Sequence, residues 1–131
     1  MNIQLRPLIA LFVTAAAMTT NIQFANANGI RYSVWDTSYT TENSGRVHCR
    51  VEFNNQQGRY ILNDGSVGYL YNVRFQEPFI YANWSYRGHQ GVVRFHIRNS
   101  DTQMAGVWGY VPNQDRGLWE GHRIDANAPI P

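Results

Sequence analysis

Beyond Asn28 the chain alternates. Val47, Cys49, Val51 and Phe53 interleave with Arg46, His48, Arg50 and Glu52, and Val93, Phe95 and Ile97 interleave with Arg94, His96 and Arg98. Val67, Tyr69, Tyr71, Val73 and Phe75 fall on one phase of the run ending at Gln76. A period of two puts successive side chains on opposite faces of an extended chain. Each run therefore predicts a strand with one dry and one wet face. No segment carries the i, i+3, i+4, i+7 spacing of an amphipathic helix over three turns.

Turn chemistry separates the runs. Asn54-Asn55-Gln56-Gln57-Gly58, Asn63-Asp64-Gly65-Ser66, Glu77-Pro78, Gly88-His89-Gln90-Gly91, Asn99 to Gln103 and Pro112 to Gly117 all read as connections. Strands are expected near 30–37, 46–53, 59–63, 67–76, 79–87, 92–98, 104–111 and 117–124. About eight sequential antiparallel strands must hide their edges. The expected fold is all-β, an antiparallel up-and-down barrel, with a two-sheet β-sandwich as the alternative. An outer-membrane barrel is a poor match. Several strands fall short of the roughly 9–11 residues a bilayer needs, polar side chains fill one face, and the chain ends in Ala-Pro-Ile-Pro.

The first 27 residues differ in kind. Arg6 precedes the apolar run Leu8-Ile9-Ala10-Leu11-Phe12-Val13, and Ala25-Asn26-Ala27 fits the small-x-small rule for cleavage. The expected organisation is a secretory signal at 1–27, one β-barrel domain at 28–124 and a flexible tail at 125–131. The mature chain is then expected in the periplasm or outside the cell, without membrane insertion. Without Arg6, ten arginines face nine acidic residues, and lysine is absent. So small a net charge removes the electrostatic case for a nucleic-acid partner. The single cysteine excludes an internal disulfide and any zinc site built from several thiolates. Alternation places Cys49 on an apolar face with His48 on the other, so the two cannot act as a thiol and its base.

Three late segments look alike: Ala82-Asn83-Trp84-Ser85-Tyr86, Gly106-Val107-Trp108-Gly109-Tyr110 and Gly117-Leu118-Trp119-Glu120-Gly121-His122-Arg123. Period two puts Trp84 with Tyr86, Trp108 with Tyr110, and Trp119 with Gly121 and Arg123. Glycine beside a large ring is how a small, tightly curved barrel makes room for it. These segments, over roughly residues 79–124, resemble the Gly-x-Trp strands of calycin-type barrels, the avidin-like and lipocalin-like group. The closing Trp119-x-Gly121-x-Arg123 also resembles small exported bacterial β-proteins. The lipocalin motif lies on the first strand, whereas the copies here come late, and no biotin-contact pattern is present. The resemblance implies a barrel and no particular ligand.

Rings on adjacent strands suit two roles, filling the interior or forming a stacking platform. The expected ligand-binding set is Trp84, Tyr86, Trp108, Tyr110 and Trp119, with Arg123 either stacked on a tryptophan at a barrel end or anchoring an anionic group. His48, His89, His96 and His122 show no ligand spacing along the chain, so neither a metal site nor a cofactor is expected. Glu120 and His122 share a face, but no nucleophile accompanies them and no catalytic residue is assigned. Arg94, His96 and Arg98 form a cationic stripe suited to an acidic partner surface. Three functions follow in order. The first is a non-catalytic protein binding a small molecule or glycan at an aromatic barrel mouth. The second is a protein-interaction module, such as an inhibitor of an extracytoplasmic enzyme. The third is a small barrel enzyme.

Overall fold

The computed structural model describes residues 29–125. The expected leader at 1–27 and the tail from 126 lie outside them. After a 3-10 turn at Gly29–Tyr32 come eight strands: β1 (Val34–Thr40), β2 (Arg46–Asn54), β3 (Gln57–Leu62), β4 (Val67–Gln76), β5 (Phe79–Tyr86), β6 (His89–Arg98), β7 (Gln103–Gly109) and β8 (Asp115–Ile124). Each pairs antiparallel with the next, and β8 pairs with β1, giving a closed up-and-down barrel rather than a sandwich. Among the described residues, no helix is long and apolar enough to cross a membrane.

Several boundaries differ from the sequence reading, two of them for clear local reasons. Residues 29–32 are taken up by the 3-10 turn, so β1 starts at Val34 rather than near residue 30. The β5–β6 turn is Arg87-Gly88, with φ of 48° and 84°, not the segment from Gly88 to Gly91. Positive φ at both central residues is the two-residue hairpin geometry that matches strand twist. His89 and Gln90 consequently extend β6.

The largest correction is in β4. Tyr69 was expected to face the same way as Val73 and Phe75, but it is 57% exposed. Asn72 adopts φ 51°, and the β4–β5 register shifts between Tyr71 and Arg74. This bulge inverts the phase. Gly68 and Leu70 are buried before it, and Val73 is buried after it.

The interior is built from rings set against glycines. Tyr60 lies opposite Gly68, Trp84 opposite Gly91, Trp108 opposite Gly117, and Gly106 lies between Phe95 and Trp119. A Cβ on Gly68 would fall on the ring of Tyr60, and one on Gly91 would meet both the Gly109 carbonyl oxygen and the Trp84 ring. Each ring thus occupies the volume its partner leaves free. A chain of rings runs along the barrel, from Tyr39 to Trp119 (5.1 Å between centroids), Phe95 (5.4 Å), Phe53 (6.2 Å) and Phe75 (5.8 Å). Trp35, Val51, Leu70, Ile80 and Phe95 are fully buried around it. Such close packing fills the barrel below its mouth.

Cys49 belongs to this interior and is 1% exposed. Burial pushes its thiol up to about 12, against a lesser opposing effect from the Thr37 hydroxyl 3.2 Å away. The thiolate is the reactive form. We expect less than a tenth of Cys49 to be alkylated by iodoacetamide at pH 8 in the time that labels the guanidinium-unfolded chain completely. Mass spectrometry of both samples checks this, and comparable labelling in the two would contradict the burial.

Candidate functional site

Strand direction divides the barrel into two ends. Turns 41–45, 63–66, 87–88 and 110–114 lie at one end, and turns 55–56, 77–78 and 99–102 at the other. The first end opens into a cavity of about 250 Å³. Trp84, Tyr86, Trp108, Tyr110 and Trp119 line it together. Three tightly packed segments bring these five rings to one place.

Their geometry is well defined. Trp84 and Trp108 are nearly perpendicular at 5.8 Å, and Tyr110 packs against both at 5.7 and 5.6 Å. Each indole N–H is tied back into the barrel. Trp84 donates to the carbonyls of Val92 and Gly109, both at 3.1 Å, Trp108 to the Thr40 carbonyl at 2.8 Å, and Trp119 to the Thr37 hydroxyl at 3.0 Å. These bonds fix ring orientation and satisfy the buried donors. They leave π surface and ring edges, not N–H groups, facing the cavity.

The structure adds lining residues that the sequence reading missed: Tyr39, Thr41, Glu42, Asn43, Tyr60 and His89. Tyr39 and Tyr60 stand against Trp119 at 5.1 and 5.0 Å. Burial leads in pushing the Tyr39 phenol up to about 12, and it also raises the Tyr60 phenol, so both hydroxyls are neutral at physiological pH. Glu42 accepts a hydrogen bond from the Tyr110 hydroxyl at 3.1 Å and another from Arg116 at 3.3 Å. The mouth thus has an aromatic wall, drawn from β1, β3, β5, β8 and β7 with the turn after it, and a polar lip from the β1–β2 turn. The signal for Tyr39 is its position two residues after Thr37 on an inward phase. The lip carries no such pattern, because turn residues have no periodicity.

Arg123 stands elsewhere. It lies opposite Trp35, four residues past Trp119 on β8, and its backbone N–H donates to the Thr102 carbonyl of the opposite turn at 2.8 Å. It does not line the mouth cavity, so it is no anchor for a ligand there. At its own end of the barrel, Arg31 stacks over Phe75 at 4.8 Å.

A second cluster forms on the outer wall. Asp36 on β1 hydrogen-bonds the His48 imidazole on β2, and His122 Nε2 on β8 is 4.0 Å from the other Asp36 oxygen. His48 Nδ1 engages Asn63 Oδ1 at 3.0 Å. Asp36, His48 and His122 border a polar cleft of about 540 Å³ with Arg46, Arg98 and Glu120. The histidines are far apart in sequence, and only barrel closure makes Asp36 their shared neighbour. Among the described residues, no group of three His, Cys, Asp or Glu side chains is arranged to hold a metal.

The Asp36 hydrogen bond is the main cause raising the His48 pKa above its ordinary value of 6.5. A raised folded-state pKa contributes stability below the unfolded pKa, and that contribution is lost as pH rises through the folded value. We expect His48→Gln to lower the melting temperature more at about pH 5.5 than at about pH 8.5. Thermal melts of both proteins across this range check it, and an equal loss at both ends would contradict the pairing.

The outward side chains of β6 follow the predicted stripe, with Arg94 and Arg98 exposed and His96 stacked on Phe79 at 4.9 Å. No family model, curated protein or solved structure matches this chain.

Proposed function

We propose that this chain is a non-catalytic binding protein whose calycin-like barrel holds a small molecule or glycan in its aromatic mouth. The carrying observation is the meeting of Trp84, Tyr86, Trp108, Tyr110 and Trp119 around one concave space, above an interior already filled. Concave sites with aromatic walls and a few convergent polar groups suit small ligands. The filled interior confines the ligand to the mouth. The connections are short turns, not the protruding loops an inhibitor would insert into a partner enzyme. The leader-like sequence at 1–27 supports export to the periplasm or beyond the cell.

The test is tryptophan fluorescence of the full chain, titrated with a panel of neutral glycans and small metabolites. A ligand of the mouth quenches or shifts the emission. Tyr110→Ala then weakens binding by roughly three- to tenfold, the scale of one ring contact. Its melting temperature stays near that of the parent, because Tyr110 is 39% exposed. A panel without any response would overturn the proposal.

A further inference from the structure

We infer that the mouth selects a positively charged head group, an organic ammonium. This rests on the mouth being a binding site and adds the charge class of what it holds. Four observations converge. No arginine or lysine lines the cavity, and Glu42 is its one carboxylate. The indole N–H groups of Trp84, Trp108 and Trp119 are held by acceptors in the barrel, so the wall does not offer them to an anion. The Trp84, Trp108 and Tyr110 rings meet at steep angles of 86°, 87° and 58°, so their faces are turned in different directions. The rim rings already accept cations from this chain, with Arg87 over Tyr86 at 5.1 Å and Arg116 over Tyr110 at 5.8 Å.

The physical basis is the ring quadrupole. A cation within about 6 Å of an aromatic centroid is attracted to the negative face, most strongly for tryptophan and more where water is excluded. A quaternary ammonium has no N–H to donate, so a wall of rings satisfies it where a hydrogen-bonding wall would not. Glu42 places the one carboxylate of the lining at the lip, where it also pairs with Arg116 at 3.3 Å. Its partner Arg116 is 48% exposed, so it can keep its solvent contact while Glu42 also faces a bound cation.

The experiment compares choline and tetramethylammonium with 3,3-dimethylbutan-1-ol, the neutral carbon counterpart of choline. Each is titrated against the full chain by calorimetry and tryptophan fluorescence. Choline is expected to bind roughly five- to thirtyfold tighter than the neutral alcohol, the range cation–π attraction supplies between exposed and desolvated sites. Glu42→Gln is expected to narrow that ratio. Trp84→Phe keeps a ring but weakens its quadrupole, and is expected to narrow it too. Equal or tighter binding of the alcohol would overturn the ammonium assignment while leaving the mouth as a binding site. So would a neutral glycan that binds where both ammonium ions fail. Silence of all these probes overturns both readings.

Discussion

Replacing Trp119 with alanine is expected to cost about 3–5 kcal/mol of stability, the range for removing a large buried ring. Trp119 is 3% exposed and touches Tyr39, Tyr60 and Phe95, so it joins the mouth to the core. Gly106 stands opposite with no side chain to fill the vacated space, and Tyr39, Tyr60 and Phe95 are rings packed against Trp119. A stability loss of this size lowers the melting temperature by roughly 12 °C or more in a domain of about 100 residues. Guanidinium unfolding followed by circular dichroism measures it. A loss below about 1 kcal/mol would mean that the interior collapses freely, contrary to the packing described.

Gly121→Ala is expected to be about as damaging for the opposite reason. Gly121 faces Thr37 across the β1–β8 seam where the barrel closes. A methyl group there would fall on the Asp36 carbonyl oxygen, 2.7 Å from Thr37 Cα and 2.8 Å from Thr37 Cγ2. Overpacking usually costs about 1–3 kcal/mol, and the upper end applies when the obstruction is backbone that cannot rotate away. The strain concentrates at the seam. Amide hydrogen exchange in β1 and β8 should therefore accelerate more than in β4 and β5, alongside a loss of about 3 kcal/mol in unfolding. Uniform protection with unchanged stability would show that the two strands tolerate a wider spacing.

Most of the architecture was legible because period-two alternation and turn residues are local signals. Arg46–Asn54 could be read as a strand from its own letters, as could β6 once Val93, Phe95 and Ile97 were seen to alternate with Arg94, His96 and Arg98. The failures also have local causes. The bulge at Asn72 adds one step to the count, so a pattern read with a fixed period across it cannot put Val73 and the earlier Tyr69 on their true, opposite faces. The aromatic half of the mouth was legible because a glycine beside a ring signals curvature. The polar half, Thr41, Glu42 and Asn43, was not, because its place depends on which hairpin ends share a rim. Arg123 was grouped with Trp119 because both lie on one inward face, but four residues along a strand carried it to the other end. The meeting of His48 with His122 around Asp36 depends on β8 returning to β1, a contact between the first and last strands that no window of sequence contains.

The set of rings opposite glycines has a consequence for how this protein can change by descent. Neither member of such a pair can vary alone. A larger residue at Gly68 requires a smaller one at Tyr60, while at Gly91 the Gly109 carbonyl oxygen stands in the way as well as the Trp84 ring. A single mutation at either partner passes through an overfilled or hollow interior, so a lineage crosses only by paired exchange or by first gaining stability elsewhere. Gly106 is more constrained still, because it faces Phe95 on one side and Trp119 on the other. Aligned descendants should therefore show substitutions at these positions arriving together, while turn positions such as Asn43 drift independently.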